Sequence, residues 1–419
     1  MKFSLTFAGL VGLAAASPFS EHDTSGGLMR RTGKCNWKDQ HCCAIPDKYK
    51  YSSPSDTNNY YGYGRTIYVK PNQKMKIQDA IKRAHPGDRI IVEAGEYPEQ
   101  LVIDKDGIQL EGRGNVRLVK PHKYKRNACT GLTQDEKKNE LQAGICITGY
   151  KVQTTEYKTE HKRVTSVKRP VKGVSVTGFS VSGFSGINIA IIGAKNTRIT
   201  KNKLTDAPAY GALTLGSVNT VFRENVITTT AGGFIGICQD NLSDVQTVKN
   251  DISAHAIGVC VQTNGAFVGY NTLHDNCIGV FVDPGVKEAK IVHNYIGPTP
   301  ALCGKTSSGI ILGSAVGTLV RDNTIEGQRG SGTGGVGAGV GILIYDDACV
   351  ATPEQPNVSL SCITLGGKAP KSSHNIVIRN TLKNNDNDIL NFSQGTGNVI
   401  KCNTCENPAN IQAGQCKKP

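Results

Sequence analysis

The sequence predicts an all-β solenoid of stacked parallel strands, and three observations support this fold class. First, one phrase recurs along the 419-residue chain, a glycine followed by alternating apolar residues. Second, the segments between these glycines are rich in Val, Ile and Thr and hold no amphipathic helical pattern. Third, the glycines recur in steps of 25, 25, 22, 21, 30 and 32 residues, at Gly186, Gly211, Gly236, Gly258, Gly279, Gly309 and Gly341. Such a period indicates a repeat architecture, because a βαβ unit with its helix needs about 30 residues or more.

The second half of each repeat is a strand that ends in asparagine. Examples are Asn202, Asn225, Asn250, Asn294, Asn323 and Asn380. Equivalent residues of successive coils should stack at about the 4.8 Å inter-strand spacing, so an inward asparagine can hydrogen-bond to its copies above and below. We also expect asparagine and glycine at these corners because both tolerate positive φ angles.

The glycine phrase and the terminal asparagines resemble the repeats of the pectin-lyase-like superfamily over about residues 66–405. The resemblance implies a right-handed parallel β-helix with an N-terminal capping helix. A first strand at Thr66–Val69 and a helical pattern at Ile77–Ala84 are similar to that cap. The resemblance does not select a reaction, because the superfamily includes polysaccharide lyases, glycoside hydrolases, uronate epimerases and binding proteins.

The chain begins like a secreted protein. Residues 1–17 predict a signal peptide, since a lysine precedes an apolar run that is too short to span a bilayer. Residues 18–31 end in two arginines and are a candidate propeptide, with a plain linker as the alternative. We expect a cysteine-containing segment at 32–65, the β-helix at 66–405 with polar insertions at about 120–172 and 346–373, and a tail at 406–419. No later stretch approaches 18 apolar residues, so we expect an extracellular monomer without a membrane partner.

The 14 cysteines indicate an oxidising compartment. Cys238 and Cys260 each lie two residues after a repeat glycine, so they should stack one rung apart within reach of a disulfide, with a free thiol pair as the alternative. Disulfides are also expected to close the second insertion and to tie the end of the coil, at Cys349, Cys362, Cys402 and Cys405. Three sequons predict N-glycosylation, at Asn241, Asn357 and Asn391.

The charge balance bears on the partner of the protein. Lysine and arginine number 48 against 34 aspartates and glutamates, which gives a formal charge of +14. An acidic polysaccharide is the natural partner for a secreted solenoid of this charge, with plain solubility as the competing interpretation. Nucleic acid is the weaker candidate, because the sequence has no aromatic interleaving and no known binding motif.

Strand alternation predicts a candidate site. If the first residue after each glycine points inward, the fourth points outward, and the fourth residues form one column down the coils. This column is Ala190, Leu215, Asp240, Gln262, Asp283, Gly313 and Tyr345, and it turns polar in the middle. Asp240 and Asp283 are two rungs apart, about 9.6 Å by the strand spacing. Polar residues also belong on an outward face merely because it meets water, and that is the alternative interpretation.

The polar residues in and near the column suit chemistry on uronates. β-Elimination needs a positive charge at the substrate carboxylate, a base for the proton at C5 and an acid for the leaving oxygen. The catalytic candidates are Asp240, Asp283, His255, His274, Tyr345 and Arg321. The substrate-binding candidates are Gln262, Asp346, Asp347 and Lys290. The two column aspartates are also candidate ligands for Ca²⁺, which prefers oxygen donors.

The expected function is a polysaccharide lyase that cleaves an acidic, uronate-containing polysaccharide. Inverting glycoside hydrolysis competes, since its two carboxyl groups lie about 6.5 to 9.5 Å apart. Uronate epimerisation and non-catalytic binding to a cell wall or host surface are further alternatives. The motifs of polygalacturonases, of the major pectate lyases and of mannuronan epimerases are absent, apart from the Asp-Pro at Asp283-Pro284. The resemblance therefore supplies no catalytic residue.

Overall fold

The structure, a computed structural model, describes residues 64–71, 73–303, 307–330, 339–351, 358–407 and 415–417. The signal peptide, the candidate propeptide, nearly all of the segment 32–65 and the sequon at Asn357 lie outside these residues. Parallel strands wind as a solenoid that forms a 22-stranded sheet, here sheet A, and a 10-stranded sheet, here sheet B. In the described part of the chain, no helix is both long and apolar enough to cross a membrane.

A short helix lies at the amino-terminal end of the solenoid, as the sequence predicts. It buries Ile77, Ala80 and Ile81 in the core, and the Glu99 carboxylate accepts hydrogen bonds from the backbone N–H groups of Ile77 and Gln78 at 2.9 and 3.0 Å. These bonds satisfy donors that a helix leaves free at its first turn. The elements of this part are β1 (Thr66–Val69), α1 (Ile77–Arg83), β2 (Arg89–Pro98), β3 (Leu101–Ile103), β4 (Gln109–Val119), β5 (Ala143–Thr148), β6 (Tyr150–Thr154), β7 (Val164–Arg169), β8 (Val171–Lys172) and β9 (Ser175–Ser182).

The regular coils follow, each made of one strand of sheet B and then two strands of sheet A. They comprise β10 (Ile187–Ile192), β11 (Ala194–Thr200), β12 (Lys203–Thr205), β13 (Tyr210–Leu215), β14 (Val218–Arg223), β15 (Val226–Thr228), β16 (Gly233–Asp240), β17 (Ser243–Val248), β18 (Asp251–Ser253), β19 (His255–Val261), β20 (Phe267–Gly269), β21 (Thr272–His274), β22 (Ile278–Val282), β23 (Lys290–Val292) and β24 (Tyr295–Ile296).

The last coils carry a 3₁₀ turn and a second short helix. They comprise the turn at Ala301–Cys303, β25 (Ser308–Gly313), β26 (Leu319–Arg321), β27 (Thr324–Glu326), β28 (Val340–Tyr345), α2 (Leu360–Thr364), β29 (Ile376–Ile378), β30 (Thr381–Lys383), β31 (Asn387–Asn391), β32 (Val399–Lys401), β33 (Asn403–Cys405) and β34 (Cys416–Lys417). Because β33 pairs with β34, the coil extends beyond residue 405 into the predicted tail.

The repeating glycines are explained by the close approach of successive coils. A Cβ at Gly279 would lie 2.5 Å from the carbonyl oxygen of Gly309, nearer than real Cβ atoms come. In the first repeat, Ile189 pairs with Ala212, so Asn188 rather than Gly186 holds the glycine position. The predicted column is therefore wrong at its first member.

Buried asparagines form the hydrogen-bonded ladder that the sequence predicts. Asn250 donates through Nδ2 to Asn271 Oδ1 at 3.1 Å, and Asn271 donates to Asn294 in the same way at 2.9 Å. The positive φ angle, however, belongs to the residue before each asparagine, for example Tyr270 at 59° and His293 at 55°. The expectation that asparagine itself takes this conformation is wrong, since its task is to bond up and down the stack.

Two lobes cover the outer face of sheet B. Lobe 1 is residues 120–142 and 149–170, and lobe 2 is the described part of residues 346–373. The predicted insertion at 120–172 is not one irregular stretch, because its middle, Ala143–Thr148, is a buried strand of sheet B. Lobe 1 packs apolar side chains against the outer face of that sheet, where they form a second core. The candidate site lies beneath the two lobes.

Candidate active site

The polar column of sheet B is buried under the lobes. Asp240 pairs with Leu215 in the coil below it, and Tyr345 pairs with Gly313, so the register predicted for these members is correct. Asp240 is only 6% exposed and Asp283 only 2% exposed. The predicted shallow groove is thus wrong: the outer face of sheet B is apolar on both sides of the column, and the lobes bury most of the column.

Asp240, at the end of β16, contacts two side chains of lobe 1. Arg163 approaches it with Nε 3.3 Å from Oδ2 and Nη2 3.4 Å from Oδ1. His161 lies on the other side, with Nε2 3.6 Å from Oδ2. Arg163 remains 37% exposed, whereas the imidazole is fully buried. A carboxylate is therefore held between a guanidinium that faces solvent and a histidine that does not.

His161 joins Asp240 to Tyr210, the first residue of β13. Its Nδ1 lies 3.0 Å from the phenol oxygen of Tyr210, and its Nε2 has no hydrogen-bond partner. Burial raises the pKa of the Tyr210 phenol well above its ordinary value. The phenol is therefore neutral at physiological pH, and the imidazole is aimed at Asp240 with its second nitrogen unused.

A second polar group surrounds Asp283, which follows β22. Gln262 donates through Nε2 both to Asp283 Oδ2 at 2.8 Å and to Glu160 Oε2 of lobe 1 at 3.0 Å. Ser361 of α2 donates through Oγ to the same Asp283 oxygen at 2.8 Å. One amide thus bridges two carboxyl groups that come from opposite sides of the site.

The surroundings of Asp283 favour its neutral, protonated form. Burial, and then the negative charge of Glu160, raise its pKa well above the ordinary value, although the bonds from Ser361 and Gln262 oppose this shift. Beneath it, the Cys260 thiol lies 3.9 Å from Oδ1. The site therefore holds a neutral acid near an aspartate that is paired with arginine.

A cleft of about 200 Å³ opens beside these residues. Its walls include Arg163, Asp240 and Gln262, together with Leu360, Ser361 and Thr364 of α2 in lobe 2. Arg163 also donates through Nη1 to Thr364 Oγ1 at 2.8 Å. The cleft thus reaches the Arg163–Asp240 pair from solvent and is narrowed by contacts between the lobes.

Three candidates at the end of the column have structural contacts. Asp346 accepts hydrogen bonds from Ser372, Ser393 and Gln394, and these bonds hold its pKa below the ordinary value although burial opposes them. Asp347 bonds to the backbone of Cys349, and Tyr345 is half-buried beside it with a pKa raised by burial. These residues anchor lobe 2, and the prediction that they bind or process substrate is not supported by their contacts.

The remaining candidates lie elsewhere on the coil. His255 begins β19, about 23 Å along the strand from Gln262 at 3.3 Å per residue, and burial lowers its pKa to about 4. His274 lies between Asp251 and Asp275 at 3.1 and 2.7 Å, at the end of β21 in sheet A. Lys290 and Arg321 also belong to sheet A. His274, Lys290 and Arg321 were predicted to lie near the column because the sequence does not reveal which strands share a sheet.

The described cysteines confirm some pairings and correct others. Cys349–Cys362 closes lobe 2 as expected. Cys402 and Cys405 are both disulfide-bonded, as expected, and the partner of Cys405 is Cys416. Further bonds join Cys129 to Cys146 and Cys277 to Cys303.

Cys238 and Cys260 are neighbours across one rung, as predicted, but they are free thiols with their sulfurs 2.6 Å apart. Two sequons lie in the described residues. Asn241 is buried and hydrogen-bonded to Thr214 and Thr220, so its prediction as a glycan site is wrong. Asn391 is half-buried.

The two column aspartates do not suit a shared Ca²⁺ ion, which takes six to eight oxygen ligands. Both oxygens of Asp240 face the Arg163 guanidinium, and Asp283 is bonded to Gln262 and Ser361. A nearby guanidinium and a neutral carboxyl group both oppose cation binding.

Comparisons with known proteins agree on the architecture. The family model described as "Right handed beta helix region" matches residues 168–355. No curated protein matches the chain. Among solved structures, a Yersinia enterocolitica family 28 exopolygalacturonase is 12% identical, with a TM-score of 0.48, 84% of this chain covered and 78% of that one.

Two other solved structures are similar to the same degree. The Dettilon tailspike protein is 12% identical, with a TM-score of 0.46 and 81% of this chain covered, and the chain spans 62% of the tailspike's length. An alginate lyase from Paenibacillus sp. str. FPU-7 is 13% identical, with a TM-score of 0.40 and 85% and 98% of the two chains covered. Likenesses this weak carry no argument about activity. Taken with the parallel ladders and the family-model match, the glycine and asparagine columns identify the chain as a right-handed parallel β-helix.

Proposed function

We propose that this chain is a secreted enzyme that cleaves an acidic, uronate-containing polysaccharide by β-elimination, with the cleft beside Asp240 as its active site. The observation that carries the proposal is the contact between Arg163 and Asp240 at the wall of that cleft. It places a cation, which could neutralise a substrate carboxylate, beside a base that could remove the neighbouring proton.

Each group near the cleft has a role in this reaction. Arg163 is partly exposed, so its guanidinium can exchange Asp240 for a substrate carboxylate, which it can bind in bidentate fashion. Asp240, once released, takes the proton from C5. His161 stands behind it with a free ring nitrogen and can accept that proton onward. Asp283 bonds to Gln262 and Ser361 of the cleft wall and holds both in place, and the proton for the leaving oxygen comes from water.

Charge supports an anionic substrate. Residues 120–172 hold 13 basic and 5 acidic residues, a net of +8 within a chain whose total is +14. Most of the excess positive charge therefore belongs to the segment that forms lobe 1 and covers the cleft. A positive surface at the mouth of a cleft raises the local concentration of anionic chains.

Inverting glycoside hydrolysis is the second candidate, and the raised pKa of Asp283 favours it. A hydrolase needs a protonated acid and a separate carboxylate base that activates water. Asp283 and Asp240 are two rungs apart, about 9.6 Å by strand spacing, which is at the upper limit of the range for inversion. The two reactions differ in their products and so can be separated directly.

The test is to incubate the protein with polygalacturonate, alginate and glucuronan and to follow both ultraviolet absorbance and reducing ends. Elimination yields an absorbing unsaturated product, and hydrolysis yields reducing ends without it. Epimerisation would change the sugar composition without cutting the chain. Binding without any turnover would leave a non-catalytic binding protein and would overturn the proposal.

A matched pair of variants links turnover to the cleft. Arg163→Ala should lower kcat/KM by about 100-fold or more, the usual loss for one electrostatic group at a reacting centre. Arg117→Ala removes a half-exposed arginine whose partner is Glu96, on the first coils, and should leave turnover unchanged. Equal losses in both variants would place the reaction elsewhere.

A further inference from the structure

Glu160 of lobe 1 makes contacts on both sides of the proposed active site. Its Oε1 accepts a hydrogen bond from the backbone N–H of Leu360, at the start of α2 in lobe 2, at 3.1 Å. Its Oε2 accepts one from Gln262 Nε2 of the polar column at 3.0 Å. One carboxylate therefore joins lobe 1, lobe 2 and sheet B.

The backbone of Glu160 has a φ angle of +50°, in the left-handed region that residues other than glycine seldom occupy. The same conformation recurs at corners of the coil, for example at Tyr270 and His293, so it does not by itself mark a switch. The feature that distinguishes Glu160 is the pair of contacts that its side chain makes to Leu360 and Gln262.

The cleft is narrow for the substrate that the proposed function requires. Its volume is about 200 Å³, and α2 of lobe 2 supplies part of its wall. Lobe 2 is held to lobe 1 by the Glu160–Leu360 bond and by the Arg163–Thr364 bond. Opening of these bonds would widen the access of a polysaccharide chain to Asp240.

We propose that Glu160 is the latch of this site, and this inference rests on the proposed function. Glu160 is a positioning residue that fastens the two lobes and the polar column together. Its release admits the polysaccharide. The structure also suggests what controls release. Asp283 shares the Gln262 amide with Glu160, so an ionised Asp283 would place a second negative charge beside the latch.

Several other groups face Glu160, and they define the electrostatics of the latch. Tyr157 lies on lobe 1, and Tyr210, Cys238 and Cys260 lie on sheet B; all four are affected by the Glu160 charge. Burial raises the pKa of each of these groups, so each is neutral at and below neutral pH. Asp240 lies nearby with Arg163 and with His161, the residue that follows Glu160 in lobe 1. Loss of the Asp283 proton would add a negative charge beside Glu160, so opening should increase as pH rises.

The experiment is hydrogen exchange of the full chain at pH 5 and pH 8, with rates corrected for the intrinsic effect of pH. In Glu160→Ala, amides of residues 359–365 should exchange about tenfold faster at pH 5 than in the unsubstituted chain, while amides of β25 stay protected. Glu160→Gln has no charge and keeps one acceptor oxygen, which can serve Leu360 but not Gln262 as well, so its exchange at 359–365 should not change between pH 5 and pH 8. Glu156→Ala, an exposed neighbour in lobe 1, is the matched control and should change nothing.

Unchanged exchange at 359–365 in Glu160→Ala would overturn the latch, and so would a Glu160→Gln variant that opens at pH 8 like the unsubstituted chain. If Glu160→Ala does not fold, the Glu160→Gln comparison decides alone. These readouts do not depend on turnover. If the chain opens as expected but cuts no polyuronate, the proposed function is refuted and the latch proposal stands. If the chain cuts polyuronate but exchange is unchanged in Glu160→Ala, the latch proposal is refuted and the proposed function stands.

Discussion

Replacing Asp283 by asparagine should remove a pH dependence of stability that the buried acid creates. The native state holds a proton on Asp283 at pH values where the unfolded chain, with an ordinary aspartate pKa of 3.8, has lost it. The folded pKa is raised, so the native state binds more protons than the unfolded state between the two pKa values. The free energy of unfolding therefore falls as pH rises through that window, and the stabilisation of the protonated form is fully present only below pH 3.8.

The size of the effect follows from linkage. One proton contributes a slope of at most about 1.4 kcal/mol per pH unit. With an unfolding entropy of about 2.1 cal/mol/K per residue over a 419-residue chain, this slope corresponds to roughly 2 °C of Tm per pH unit. Asparagine has the same shape, keeps an acceptor for Gln262 and Ser361, and never ionises, so the Asp283→Asn variant should lack this contribution.

The assay is calorimetric Tm at intervals from pH 4 to pH 8 for the unsubstituted chain, for Asp283→Asn and for Asp275→Asn. Asp275 is an exposed carboxylate at a corner of the coil and serves as the control. The Tm of Asp283→Asn should gain on that of the unsubstituted chain by roughly 2 °C for each pH unit in the window. Parallel curves for all three proteins would refute the assignment of a buried neutral acid.

Other parts of the fold give shorter predictions. Asn271→Ala should cost roughly 2–4 kcal/mol in urea unfolding, because it leaves buried donors and acceptors of the ladder unpaired; a loss below 0.5 kcal/mol, the size of an ordinary surface substitution, would contradict the ladder's role. Gly279→Ala should cost about 3 kcal/mol, since its Cβ would meet a carbonyl oxygen at 2.5 Å, and wild-type stability would show that the coils can separate. Cys238 and Cys260 should resist thiol reagents at pH 8 in the native protein and react after denaturation, because burial raises the pKa of Cys238 to about 11; no reaction after denaturation would mean that they are bonded. Chelation with EDTA should leave turnover unchanged. A loss of turnover that Ca²⁺ restores would refute the conclusion that Asp240 and Asp283 do not suit a Ca²⁺ ion.

The solenoid could be predicted because its physical causes are visible in the sequence. Glycines recur where coils approach too closely for a Cβ, and asparagines recur where side-chain amides stack and bond. Apolar alternation then shows which residues point inward. The register failed only at the first repeat, where Asn188 replaces the glycine that marks the position elsewhere.

The site was predicted in part. Asp240, Gln262 and Asp283 do lie in one column, because strand alternation and stacking are local rules. Their burial could not be foreseen, since it depends on how lobe 1 folds back over sheet B. Glu160 and His161 come from that lobe. Glu160 and Gln262, which are hydrogen-bonded, are 102 residues apart along the chain.

A signal for these lobe residues was nevertheless present. The run Thr159-Glu160-His161-Lys162-Arg163 combines an acid, an imidazole and two cations inside an insertion with a cysteine near its start. The histidine candidates failed for the opposite reason. His255 and His274 are near the column in sequence, but one lies at the far end of its strand and the other in sheet A.

The most direct measurement is a crystal structure of the Asp240→Asn variant with a saturated oligouronate. We expect the ligand in the cleft, with a sugar carboxylate on the Arg163 guanidinium, its C5 facing residue 240, and α2 displaced from Glu160. An oligouronate bound to sheet A, or one that leaves Arg163 untouched, would contradict the assignment of this cleft as the active site.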